Sequence, residues 1–148
     1  MVSISDHQRR SIEHDCEKVI QNLFYAIDEF DYDSVVDSFT RDGIWHRFGK
    51  AVTGHEAIRS ELNARSNFQV IRHIATNVIV NVLDADTASA VVYVKTYKHD
   101  DGTPAPTPVE LRAPMLLGVV SARLSRQADG WRIAEQDLEV SFNFTERQ

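Results

Sequence analysis

Apolar and polar positions change period along the chain, with a helical repeat first and a strand repeat later. Ile12, Cys16, Val19, Ile20, Leu23, Phe24, Ile27 and Phe30 recur at spacings of three and four, which makes one apolar stripe on a helix. Ser5-Asp6 reads as the N-cap, so the pattern predicts a helix from there to about Glu29. Asp31-Tyr32-Asp33 caps a short second helix, Ser34 to Phe39, with Val35, Val36 and Phe39 inward. Thr40-Arg41-Asp42-Gly43 is a turn signal. From Gly43 to Gly49 the period falls to two, a short strand. If Ile44, His46 and Phe48 share one side, Trp45 and Arg47 share the other. Lys50 to Thr53 is a second short strand, and Thr53-Gly54-His55-Glu56 opens a third helix that runs to about Ser66.

A long antiparallel hairpin follows, Val70 to His99. Both arms are rich in β-branched and aromatic residues, and the turn Asp84-Ala85-Asp86-Thr87 is acidic and polar. His73 lies near the start of the first arm. Three prolines within Pro104 to Pro108 forbid a central strand after the hairpin, so His99 to Pro108 is a loop. Such a loop can cover a pocket mouth, meet a neighbouring subunit, or be an inert surface excursion. Met115 to Ser125 is a strong strand, Asp129-Gly130 a hairpin turn, and Trp131 to Phe142 the last strand. Helices first and long antiparallel strands after give an α+β plan, with three helices packed on one face of a strongly curved sheet.

Composition narrows the function classes. The chain has 148 residues and 43% hydrophobic content, enough for a single globular domain with a real core. A formal charge of −6 and the lack of a basic stripe argue against nucleic acid. No apolar run approaches a membrane span, and the N-terminal stretch lacks the apolar core of a signal peptide. Cys16 is the single cysteine, so an intrachain disulfide is impossible, and a reducing, cytoplasmic setting is expected. The histidines and Cys16 share no metal-ligand spacing. Neither a glycine-rich phosphate loop nor a nucleophile elbow occurs, so no metal and no cofactor are expected.

Several local segments together resemble a known superfamily, the cone-shaped nuclear transport factor 2-like (cystatin-like) fold, and within it the SnoaL-like group. Ala26-Ile27-Asp28-Glu29-Phe30-Asp31-Tyr32-Asp33 is similar to that group's helix-breaking segment, and Phe39 to Trp45 to its second-helix exit. Gly54-His55-Glu56-Ala57-Ile58 is similar to its helix start, Arg72-His73-Ile74-Ala75-Thr76-Asn77 to its histidine-bearing strand, and Asp129 to Ile133 to its last hairpin. The likeness spans about residues 8 to 142 of one SnoaL-like domain, 1–148. Chemically it runs towards scytalone dehydratase and the bile-acid dehydratases. Those enzymes pair an aspartate of the first helix with a histidine of the long strand in a cofactor-free pocket. Asp28 and His73 fall at those places. The resemblance breaks elsewhere. Ile27, Arg47 and either Lys98 or His99 stand where scytalone dehydratase has two tyrosines and a second histidine. Leu23 stands where the bile-acid enzymes have a tyrosine. Arg47 lies near the place of the steroid isomerases' base aspartate, which disfavours that isomerase chemistry.

The resemblance therefore implies a cofactor-free dehydratase with Asp28 and His73 as the acid–base pair. Trp45 would be a flat apolar wall, Arg47 a cation for an enolate or carboxylate, and Ser121 and His99 further pocket groups. The substrate implied is a small cyclic or aromatic hydroxy-ketone or polyol. Plainer readings exist for each residue: Asp28 as a helix-end carboxylate in water, His73 as a core histidine bonded to a backbone carbonyl, Arg47 as the partner of Asp28. Two other functions share the fold: a non-catalytic small-molecule binding module, and an assembly subunit similar to the small subunit of ring-hydroxylating dioxygenases. A homodimer or homotrimer is expected, because the open sheet face is apolar.

Overall fold

The computed structural model describes residues 3–144, so residues 1–2 and 145–148 of the expected domain lie outside it. Helix α1 spans Asp6–Asp28. Ser5 Oγ accepts the Gln8 N–H and Gln8 Oε1 accepts the Ser5 N–H, which closes a capping box at its start. Its buried stripe is Ile12, Cys16, Ile20, Leu23, Phe24 and Ile27, with Asp28 buried as well. A fully buried Ile or Leu of this kind stabilises by about 1.5–3 kcal/mol. Phe30 then takes φ +59° and turns the chain out of the helix.

Helix α2, Tyr32–Asp37, is capped by Asp31, whose carboxylate accepts the Ser34 N–H. It begins and ends two residues earlier than expected, and Phe39 opens a strand instead of closing a helix. Strand β1, Phe39–Arg47, absorbs the predicted Thr40–Gly43 turn as an irregularity in its pairing. Strand β2 is Lys50–Thr53 and helix α3 is His55–Asn63. The long strands are β3 (Val70–Val82), β4 (Thr87–His99), β5 (Leu116–Gln127) and β6 (Gly130–Asn143).

One sheet of six strands runs in the order β2-β1-β6-β5-β4-β3. Among the described residues only the β1–β6 pairing is parallel. Helix α1 lies along β3, while α3 packs against β1 and β2 and α2 bridges the other two helices. All three helices cover the inner face of the curved sheet, where Ala88, Ala90, Val92, Val94, Val120, Ala122 and Leu124 are buried. The architecture is the helix-packed, curved, mainly antiparallel sheet expected from the sequence.

Three register shifts interrupt the pairing of the described long strands, at Thr76/Ile79, Leu117/Gly118 and Arg123/Leu124, and two of them set the phase of the inner residues. In β3 the inner residues are Ile71, His73 and Ala75, then Val78, Val80 and Val82. The switch from odd to even falls at the register shift between Thr76 and Ile79, where Asn77 takes φ +52°. In β6 the inner residues change from Trp131 and Ile133 to Gln136 and Leu138, and the shift opposite Arg123 and Leu124 absorbs Ala134. Further along, Gly118 of β5 lies so close to β6 that a Cβ there would meet Leu138 Cδ1 at 2.6 Å and the Glu139 carbonyl oxygen at 2.8 Å. Bulges bend and twist the strands that carry them, and the Leu117/Gly118 shift falls between the cavity-lining Leu116 and Val120.

Candidate active site

The last turn of α1 is pinned to the start of β3 by one carboxylate. Asp28 Oδ1 lies 2.5 Å from His73 Nδ1, and Asp28 Oδ2 accepts the His73 backbone N–H at 2.8 Å. Asp28 is 6% exposed, and the His73 side chain 14%. A carboxylate can only accept, so this contact favours the tautomer with its proton on Nδ1, which in the neutral ring leaves Nε2 as the acceptor. Nε2 has no protein partner among the described residues. The Phe24 ring, one turn before Asp28, packs 5.4 Å from the imidazole at 36°. Asp28 is thus neither a solvated helix-end acid nor the partner of Arg47, and His73 bonds through Nδ1 to a carboxylate rather than to a backbone carbonyl.

His73 also lines a cavity of about 430 Å³ between the helices and the inner face of the sheet. Trp45 forms one wall, and the Arg47 guanidinium carbon sits 4.5 Å above its ring. Arg47 and Trp45 do share the inner side of β1, as the alternation predicted, whereas His46, though it also borders the cavity, bonds through its side chain to Glu135 at 2.9 Å. Phe48 departs from that alternation: with φ +46° it turns back to the cavity mouth. Burial, followed by the nearby charge of Arg65, holds the Arg47 pKa below its ordinary value, and Glu61 at 3.8 Å offsets this only in part. Glu61 is bonded more closely to Lys50, which keeps its carboxyl below the usual range.

Two expected pocket residues lie elsewhere. Ser121 is on the outer face of β5, beside Arg123 and Glu135, because the inner positions of that strand are the even ones. His99 continues the outer set of β4 and faces Asp101 at 3.8 Å, while Lys98 continues the inner set and lines the cavity. The proline segment 103–108 contributes no lining residue; the loop reaches the cavity only through Met115, whose N–H bonds to the Thr96 carbonyl at 2.7 Å. Gln136 and Arg65, not singled out in the sequence, both line it. A signal for Gln136 existed: apolar residues switch from odd (Trp131, Ile133) to even (Leu138, Val140) within one strand, which demands a bulge between them.

A helix-covered curved sheet around an apolar cavity of this kind defines the nuclear transport factor 2-like, cystatin-like class. An NTF2-like protein with a cystatin-like fold from Novosphingobium aromaticivorans superposes with a TM-score of 0.74 at 16% identity, over 95% of this chain and 92% of that one. The chain belongs to the SnoaL-like domain family, whose sequence profile matches residues 8–137. A candidate scytalone dehydratase from the same organism superposes with a TM-score of 0.80 at 14% identity, covering 97% of this chain and 94% of that one. A hexachlorocyclohexane dehydrochlorinase (LinA, type 2) gives 0.75 at 13% identity, over 93% and 90%. At these identities the likeness shows the fold. None of the curated proteins compared with the chain matches it in sequence.

Proposed function

We propose that the protein is a cofactor-free lyase, a dehydratase that acts on a small cyclic or aromatic hydroxy-ketone or polyol. The observation that carries this reading is the buried Asp28–His73 pair, with Nδ1 held by the carboxylate and Nε2 left free at the cavity wall. Asp28 fixes the tautomer and stabilises the imidazolium that forms when Nε2 takes a proton. In the proposed step Nε2 removes the proton next to a carbonyl. The C–H electrons form the new C=C bond as the C–O bond to the departing hydroxyl breaks. The imidazolium then returns its proton to that hydroxyl, and water leaves. Arg47, in the same wall, supplies a cation for an enolate or carboxylate oxygen of the substrate. Two structural relatives named as a dehydratase and a dehydrochlorinase support the same class of reaction, elimination.

The test is turnover of cyclic hydroxy-ketones by Asp28→Asn and His73→Gln. Each is expected to lose about 10²–10⁴-fold in kcat, the usual worth of a positioned acid–base group, with the melting temperature kept within a few degrees. Wild-type-like turnover in either variant would refute the assignment. If the wild type turns over nothing yet binds such compounds, the cavity serves a binding module instead. We propose in addition a cytoplasmic setting, and further copies of the same chain covering the outer sheet face, which exposes Ile74, Val91, Tyr93 and Phe142.

A further inference from the structure

We propose that the ligand of this cavity is an acid: an apolar ring bearing a carboxylate held by Arg47 and Lys98, with a hydroxyl donating to Gln136 further in. The inference rests on the reading of this cavity as the ligand site, and it names the chemistry of what enters.

The charge census of the wall is one-sided. Among the described residues three permanent cations, Arg47, Arg65 and Lys98, line the cavity, and no aspartate or glutamate does, in a chain of net charge −6. Nearby acids are engaged elsewhere. Glu61 is bonded closely to Lys50 and makes only a long ion pair of 3.8 Å with Arg47, so it offsets that guanidinium in part. Asp28 spends both oxygens on His73. Asp100, near the mouth, accepts from Ser66 Oγ at 3.2 Å and from the Gly102 N–H at 3.1 Å. Arg65 donates to the Ile27 carbonyl at 3.2 Å and the Tyr32 hydroxyl at 3.0 Å, and sits between the Phe30 and Tyr32 rings without a carboxylate. Lys98 has no carboxylate partner within 4.0 Å among the described residues. A half-buried guanidinium flanked by a second one leaves a site of positive potential, and an anion stabilises it. The planar fork of Arg47, stacked on Trp45, matches a planar carboxylate attached to a ring.

The second observation is independent. Gln136 is 4% exposed, and its Oε1 is the one fully enclosed side-chain N or O atom without a partner among the described residues. It belongs to the cavity wall. A buried acceptor without a donor is costly unless a ligand supplies the donor. The Ala134 bulge is what delivers it: strict alternation from Ile133 would turn Glu135 inward, whereas the bulge keeps Glu135 on the outer face with Arg123 and His46. The strand thus presents a neutral acceptor where a carboxylate would cancel Arg47.

Calorimetric titration with 2-naphthoate and its uncharged analogue 2-naphthylmethanol tests the proposal. The acid is expected to bind at least ten-fold more tightly at low salt, and the preference should shrink as salt is added. Arg47→Met should abolish most of the preference and Lys98→Met part of it, with acid binding falling by a larger factor than carbinol binding in both. The wild type should also prefer 6-hydroxy-2-naphthoate over 2-naphthoate, and Gln136→Leu should remove that preference. No binding of the acid at millimolar concentration, equal affinity for acid and carbinol, or a preference that survives in Arg47→Met and Lys98→Met would overturn it. Turnover enters none of these measurements. Failure here leaves the Asp28–His73 assignment standing, and inactive Asp28 and His73 variants leave this one standing.

Discussion

Among single residues, Cys16 shows how far burial alone can set chemistry. It is completely enclosed in the α1 stripe, and that burial, reinforced by Asp15, pushes its thiol up to about 12. A raised pKa means that the folded state holds the proton more tightly. The associated stability is fully present below the unfolded thiol's pKa, near 9, and is lost as pH rises from there towards 12. Folded protein at pH 8 should therefore resist alkylation by iodoacetamide, and full labelling should need denaturant; rapid labelling of the native state would contradict this. Asp28 and His73 hold from sequence to site. Those two were legible through the family resemblance, since by position alone Asp28 reads as a solvated helix-end acid and His73 as an ordinary strand histidine. Ser121 was misplaced because nothing local distinguishes the two faces of a strand in which Leu117, Val119 and the inner residues are alike apolar. Lys98 and His99 are adjacent, and only the pairing of Val92 with Val120 decides which points inward.

Elements were legible in kind and order but not in phase. All nine described elements match the predicted type; α2 and the start of β1 are shifted because Ser38 ends the helix and offers its carbonyl to the Ile133 N–H at 2.8 Å, which draws Phe39 into the sheet. The bulges in β3 and β6 escaped because each costs one residue of register, and a two-residue period cannot be read across such a slip. Asn77 carries a specific expectation. Its φ of +52° suits Asn or Gly and strains a β-branched side chain. Asn77→Val should lower unfolding free energy by about 1–2 kcal/mol, and Asn77→Gly should stay within about 0.5 kcal/mol of wild type, both measured by urea titration. Equal stabilities for the two variants would mean that the bulge relaxes into a regular ladder.

For the molecule as a whole, curvature creates two unlike surfaces. The concave one holds the cations and His73; the convex one mixes Arg123, Glu135 and Lys95 with Ile74, Tyr93 and Phe142. A monomer would leave those apolar groups in water, so sedimentation should give a mass two or three times 16.8 kDa, and Tyr93→Glu should return it to 16.8 kDa. A wild-type monomer at micromolar concentration would rule the assembly out. The α+β plan was readable at this scale from element order, and the cone-shaped fold from the family resemblance. The sign of the cavity was not, because it depends on which acids point away from it.

The Trp45 indole, stacked beneath Arg47 in the cavity wall, gives the protein its own optical reporter. The other tryptophan, Trp131, lies outside that wall, with the Arg126 guanidinium carbon 5.3 Å from its ring. An occupant that draws Arg47 towards itself alters the electric field over one indole and leaves the other as an internal reference. Emission at a single wavelength should then follow occupancy in real time, without a label, and Trp45→Phe should silence it.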